Sequence, residues 1–348
     1  NRVPKQESSQ LRESQMDKGE GRHRMIRCAI LLGLWWDHRP PFPFKLLASA
    51  DERGVRRSIQ QDAIKHTAEM ALGSGSDLAE NLVDAGHRVL AFDIAGAAAL
   101  PDGAAFASSI SDLAIRCETV VFSLPDGSAS EAVAREISTT SGRAVSHVVD
   151  TSTIGLDAAV TIDKLLADAA IAYVDAPVSG GAARARARTL SVMFAGDPEA
   201  CAAVGPVLAG LSDPIRCVGD RPGMAQALKL ANNFLSATAL AATSEAIIFG
   251  QSVGLDAATM LEVLNASSGR SSATDDKFPN HVLTGAYASG FANSLMAKDM
   301  RLYLDSVEGR GRPATLGRVT ESIWQQFAEA EPGVDFTRIF PFVEGTPT

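Results

Sequence analysis

Lys229 and Asn233, in the run KLANN, lie four residues apart and so share one face of a helix. A lysine on a helix ordinarily keeps its ammonium in water. This one stands among Ala225, Ala227, Leu228, Leu230 and Ala231, in a stretch too apolar for a surface helix. Partial burial, with a second ammonium at Lys298, lowers its affinity for a proton. An amine that is neutral near pH 7 is a general base. Gln226, three residues earlier, lies near the same face. Upstream, Ser179-Gly180-Gly181 offers a hydroxyl and unobstructed backbone N–H groups. That is a cradle for a carboxylate, a plain turn being the alternative. The chemistry implied is proton removal by a neutral amine near a bound carboxylate.

A second group of residues points to a dinucleotide. Gly73-Ser74-Gly75 precedes a helical run over 78–85 that Gly86 ends, and the apolar run 88–93 closes on Asp93. Glycines there let the backbone approach a pyrophosphate, which the helix N-terminus stabilises. Asp93 lies 20 residues after Gly73, the separation at which an acid meets the adenosine ribose. Ile94, Ala95 and Gly96 supply no arginine for a 2′-phosphate, so NAD is favoured over NADP. A solvated strand-end acid is the other reading of Asp93. Leu124-Pro125 and Thr153 follow apolar strands, where parallel sheets bind ligands. The run 64–72 before the glycines is a poor strand, with polar and charged residues inside it.

The elements that must hold these residues alternate. Strands are expected at 119–124, 145–149 and 172–174, and helices at 130–137 and 156–169. That order implies an α/β fold, a parallel, doubly wound, Rossmann-like sheet over 69–220. After Asp220-Arg-Pro-Gly223 the strand signals stop. Helices are expected at 224–249, 256–266, 292–306 and 313–329, an all-helical domain over 221–341 before a tail at 342–348. Cofactor and substrate belong in the cleft between the domains. Residues 1–68 lack periodicity and read as an unassigned, poorly ordered extension. Within them 26–34 is the only apolar run able to supply a missing strand.

These motifs, in this order, resemble the β-hydroxyacid dehydrogenase family. The run ALGSGSDLAENLVDAGHRVLAFD at 71–93 is similar to its opening GLGxMGxxMAxNLxxAGHxVxxxD, with Ala71 for the first glycine and one residue fewer. VVFSLPDGSA resembles its cofactor-contacting turn, DTST at 150–153 its DxST turn, YVDAPVSGG at 173–181 its substrate loop, KLANN its catalytic helix and LMAKD at 295–299 its LxxKD. The resemblance implies a catalytic acid/base at Lys229, substrate binding at Ser179, Gly180, Gly181 and Asn233, and cofactor contacts at Gly73, Gly75, Asp93, Leu124, Pro125, Thr153 and Lys298. It implies NAD-dependent oxidation of a small 3-hydroxy acid to its semialdehyde, or the reverse. A 3-hydroxyisobutyrate-like substrate comes first, with tartronate semialdehyde, threonate or sulfolactaldehyde as alternatives. Pairing through the helical domain into dimers or tetramers is implied too. Arg184 and Arg188 stand where the family has glycines, a solvated face or an attractor of anions. The departures at the glycine turn leave a second function open, a binding protein that has lost cofactor affinity.

Composition limits the rest. Of 348 residues 46% are hydrophobic and 21% charged, as in folded proteins. The net charge is −9 and the first 68 residues are net basic, so the remainder is more acidic still. An acidic body argues against nucleic acid. No apolar run approaches the ~20 residues that span a bilayer. Four scattered cysteines form no CxxC, and neither a metal site nor a disulfide framework is expected. Free cysteines fit a reducing compartment, and the expected location is cytoplasmic.

Overall fold

Six short runs line up as parallel strands. The structure is a computed structural model and describes residues 27–32, 75–94, 96 and 100–345. The strands are β1 (Arg27–Leu32), β2 (Arg88–Asp93), β3 (Ala105–Phe106), β4 (Thr119–Ser123), β5 (His147–Asp150) and β6 (Ala172–Asp175). Their order is β3-β2-β1-β4-β5-β6, all parallel, followed by β8 (Ser191–Gly196) and β7 (Val178–Ser179). β8 runs antiparallel to both neighbours, and β9 (Ile215–Gly219) pairs parallel with β8. Neither β8 nor its antiparallel sense is expected from the sequence.

The largest correction concerns residues 1–68. Residues 27–32 are not part of a separate extension. They form the central strand, hydrogen-bonded to β2 on one side and β4 on the other. The strand lies within 26–34, the apolar run able to supply a missing strand, although periodicity alone could not give its place in the sheet. The run 64–72 lies outside the described residues.

The pleat distributes the apolar side chains to two cores. Val89, Ala91, Val121, Val149 and Val174 face one side of the sheet, with Leu78 and Leu82 of a helix over 75–84 (α1). Leu90, Val120, Phe122, Val148 and Tyr173 face the other. There they meet α2 (Ile110–Arg116), α3 (Gly127–Thr139) and α4 (Leu156–Ala167). Ser109 and Asp126 cap α2 and α3 by accepting from backbone N–H groups. Three short helices, α5 (Gly181–Arg186), α6 (Pro198–Ala203) and α7 (Gly205–Leu211), complete this part.

Gly223 turns the chain into the second part. Its φ of 92° is left-handed, and a Cβ there would lie 3.1 Å from Leu156 Cγ, so glycine lets the next helix approach α4. That helix, α8 (Met224–Ser252), runs about 43 Å at ~1.5 Å per residue. Around it pack α9 (Ala257–Asn265), a π-helix (Ala273–Val282), α10 (Asn293–Glu308), α11 (Thr315–Ala330) and α12 (Ile339–Glu344). Leu240, Ile247, Phe278, Met296, Met300, Trp324 and Phe327 form their core. The expected helices stand within a few residues of their places. The π-helix was not foreseen, and Pro279 inside it breaks the 3.6-residue pattern.

Candidate active site

Four of the parallel strands, β2, β4, β5 and β6, end in polar residues along the carboxyl edge of the sheet. Leu32 is in register with Asp93 on one side and Ser123 on the other. Asp150 is in register with Asp175. Between β1 and β4 the strand order reverses direction, and open α/β sheets bind ligands at that point. Asp93 is buried there, and Gly75 is buried in α1. Gly73 lies outside the described residues. The edge therefore fits a dinucleotide: a carboxylate at the end of β2, a glycine in the helix that follows β1, and two further turns after β4 and β5.

Those two turns are tied to each other. Leu124 N–H donates to Ser152 Oγ at 2.8 Å. Lys298, on α10, donates from Nζ to Thr153 O at 2.5 Å and to Pro125 O at 3.3 Å. The sequence had placed Leu124, Pro125, Thr153 and Lys298 near one ligand, and the structure brings all four together.

The N-terminus of α8 docks onto the same edge. Asp175 Oδ2 accepts from Gln226 N–H at 3.0 Å, while Asp175 Oδ1 has no hydrogen-bond partner. Burial pushes the Asp175 carboxyl up to about 7 and the Asp150 carboxyl up to about 6. Hydrogen bonds from Ser152 to Asp150 oppose the second shift. The Gln226 side chain bridges to the turn after β5. Its Oε1 accepts from Ile154 N–H at 3.0 Å and Gly155 N–H at 3.2 Å, and its Nε2 donates to Ser152 O at 3.0 Å.

One turn along, Lys229 is 6% exposed and its amine has no hydrogen-bond or ion-pair partner among the described residues. Burial lowers its pKa from 10.5 to about 8; Asp299 opposes the shift and the Lys298 ammonium adds to it. On the next turn Asn233 Nδ2 donates to Asp299 Oδ2 at 2.6 Å, and Asp299 Oδ1 lies 3.3 Å from Lys298 Nζ. Asn232 Nδ2 donates to Asn233 Oδ1 at 3.0 Å and to Ser179 Oγ at 3.4 Å. Ser179, Asn232, Asn233, Asp299 and Lys298 thus form one chain of contacts, and Lys229 feels the charges of Asp299 and Lys298 without bonding to either. Gly180 and Gly181 have φ of 142° and 75°, which a side chain would oppose, and they begin α5 beside Ser179. Such an arrangement can hold a carboxylate on the loop and exchange a proton at Lys229.

Two profile matches cover most of the chain. Residues 70–219 match the NAD binding domain of 6-phosphogluconate dehydrogenase, and residues 223–343 match the NAD-binding of NADP-dependent 3-hydroxyisobutyrate dehydrogenase. The 3-hydroxyisobutyrate dehydrogenase of Pseudomonas aeruginosa is 32% identical over 295 residues, 80% of this chain and 98% of that one. The chain belongs to the β-hydroxyacid dehydrogenase family. It is an oxidoreductase that uses a nicotinamide cofactor and acts on CH–OH groups. The mitochondrial 3-hydroxyisobutyrate dehydrogenase of Drosophila melanogaster is 30% identical over 301 residues, 83% of this chain and 93% of that one. The 2-(hydroxymethyl)glutarate dehydrogenase of Eubacterium barkeri is 32% identical, over 72% of this chain and 85% of that one. A solved structure of Mycobacterium tuberculosis 3-hydroxyisobutyrate dehydrogenase with L-serine has a TM-score of 0.76 at 26% identity, covering 92% of this chain and 99% of that one. Among the described residues no helix is long and apolar enough to cross a membrane.

Five residues that tie the site together carry no role in the sequence expectations: Ser152, Asp175, Gln226, Asn232 and Asp299. Each stands inside a quoted motif or beside Lys229. Gln226, Lys229 and Asn233 repeat at i, i+3 and i+7, the helical spacing that sets Gln226 near the face of Lys229 but gives no hint of its bonds to the turn after β5. Arg184 and Arg186 are exposed, and Arg188 holds a left-handed φ of 56° while donating to Gly210 O at 3.2 Å.

Proposed function

We propose that the protein oxidises a small 3-hydroxy carboxylic acid to its semialdehyde with NAD, or runs the reverse reduction. The observation that carries this is Lys229: a buried amine without a hydrogen-bond partner among the described residues, its proton held loosely, near Asn233 and within reach of the charges of Asp299 and Lys298. Gly75, Asp93, Leu124, Pro125 and Thr153 would hold the cofactor, with Lys298 bracing the last two. When bound, it supplies the acceptor for the hydride of the carbinol carbon. Ser179, Gly180 and Gly181 take the substrate carboxylate. Asn233 orients the hydroxyl, its amide fixed in turn by Asp299. Lys229 removes the hydroxyl proton during oxidation and returns it to the alkoxide oxygen during reduction. Asp93, with no arginine at 94–96, favours NAD over NADP.

Relatives named for 3-hydroxyisobutyrate support that acid as the first substrate to test. The test is NADH formation from 3-hydroxyisobutyrate, glycerate, threonate and sulfolactate, with NAD and NADP compared. Turnover that Lys229→Ala abolishes, with NADH affinity kept, is the expected result. Full activity in Lys229→Ala, or no turnover with any hydroxy acid, overturns the reading. The proposal includes a homo-oligomer. Leu228, Leu235, Ala242 and Phe249 repeat every seven residues along the exposed side of α8, an apolar seam that fits a second copy.

A further inference from the structure

We propose that Gln226 is a positioning residue that sets the distance between the Lys229 amine and the turn 152–155. The inference rests on the reading of Lys229 and of that turn given above. Gln226 is fully buried and three residues before Lys229, a rise of ~4.5 Å along α8. It is gripped at both ends. Its main-chain N–H is held by Asp175 at the end of β6, and its side chain by the turn after β5.

The amide is almost saturated. Oε1 accepts two backbone N–H groups, from Ile154 and Gly155, and Nε2 gives one proton to Ser152 O. The orientation is fixed by chemistry, because a flipped amide would set its NH2 against two N–H donors and its oxygen against a carbonyl. Among the described residues no other side chain of α8 hydrogen-bonds to this turn. The turn is also held from α10, through Lys298 on Thr153 O. The segment that seats the cofactor and the helix that carries the proton acceptor are therefore joined by one side chain and less than one helical turn. A displacement of ~1 Å between reacting groups can cost ~100-fold in rate.

Two substitutions separate positioning from packing. Gln226→Leu fills the volume but leaves Ile154 N–H, Gly155 N–H and Ser152 O without partners. Gln226→Glu keeps an acceptor for both N–H groups, loses the donor to Ser152 O, and puts a carboxylate three residues from Lys229. Amide exchange is measured first, on cofactor-free full-length protein. In Gln226→Leu, protection at Ile154 and Gly155 is expected to fall at least tenfold while β4 and β5 keep theirs. In steady state, Gln226→Leu is expected to lower kcat by about 100-fold. NADH affinity and the substrate KM stay within a few-fold. The primary deuterium isotope effect on kcat rises, because hydride transfer becomes slower than product release. Gln226→Glu is expected to move the pH–kcat profile to the alkaline side, since an added negative charge raises the lysine pKa.

Unchanged protection at Ile154 and Gly155, or a kcat within threefold of wild type in folded Gln226→Leu, overturns the proposal. Should Gln226→Leu fail to fold, Gln226→Glu decides: a wild-type kcat and an unmoved pH profile overturn it equally. Wild-type protein without turnover on any hydroxy acid overturns the dehydrogenase reading instead, so the two failures are distinguishable.

Discussion

Asn233 on α8 and Asp299 on α10 are joined, Nδ2 to Oδ2, at 2.6 Å. The bond crosses between the two helices that carry the candidate acid/base and the lysine bracing the cofactor turns. Asp299 also sits 3.3 Å from Lys298 Nζ, so one buried carboxylate orders an amide and faces two ammonium groups. Its negative charge opposes the fall in the Lys229 pKa.

Asp299→Asn removes that charge and keeps the shape. The Lys229 pKa then drops below about 8, because a stabilising anion has gone. Oxidation needs the neutral amine, so the rising limb of kcat/KM against pH moves to the acid side. Asn233 loses its charge-assisted bond, and kcat falls by about tenfold. The pH dependence of kcat/KM for oxidation decides: a limb that stays or moves to higher pH removes Asp299 from this role.

Lys229 costs stability. Holding its pKa down from 10.5 to about 8 disfavours the folded state by about 3 kcal/mol wherever the lysine is protonated in both states. The unfolded chain binds the proton more tightly, so stability rises with pH between about 8 and 10.5, and the cost is full below 8. Lys229→Met abolishes turnover and stabilises the protein at pH 7 by up to about that amount. The gain shrinks through pH 9 and is gone above about 10.5. Urea unfolding of both proteins at pH 7, 9 and 10.5 measures it. A destabilised Lys229→Met at pH 7 would show that the amine is neither buried nor charged as described.

Much of this was legible in the sequence, and what was missed has physical causes. Strands such as 119–123 read clearly because parallel strands buried on both faces are unbroken apolar runs. Lys229 and Asn233 read clearly because helical spacing puts them on one face. β1 was obscured because its partners β2 and β4 follow it by more than fifty residues, and register between distant strands leaves no local signal. β8 was obscured because its antiparallel pairing depends on β6 and β7 rather than on its own composition. The bonds of Gln226 and Asp175 join segments 51 and more residues apart, so only the folded chain reveals them.

The seam on α8 makes a separate prediction. Leu235 is 66% exposed and Phe249 72% exposed on a helix whose other side is core. Leu235→Lys places an unpaired charge at the centre of the seam and is expected to shift the protein from oligomer to monomer in analytical ultracentrifugation. The monomer keeps its far-ultraviolet helical signal, since the substituted side chain touches no core. Wild-type protein that sediments as a monomer at tens of micromolar excludes the seam as an interface.

The last prediction concerns the join between β1 and α1. β1 ends at Leu32, in register with Asp93 and Ser123, and the sequence continues Gly33-Leu34. The helix α1 begins at Gly75, directly after Gly73-Ser74 in the sequence. Strand-to-helix connections in α/β folds are typically ~2–6 residues, and pyrophosphate binding depends on glycines in that connection meeting the helix N-terminus. Deleting residues 35–72 joins Leu34 to Gly73. The strand then runs through Gly33-Leu34-Gly73-Ser74-Gly75 into α1, close to the GLGxMG opening of the family. The shortened chain is expected to bind NADH at least tenfold more tightly than the full chain by fluorescence titration. Asp93→Ala in the shortened chain is expected to reverse most of that gain, since the ribose loses its acceptor. Equal affinities for the two chains would mean that the segment 35–72 has no bearing on the dinucleotide, and that the glycines at 73 and 75 act without those at the end of β1.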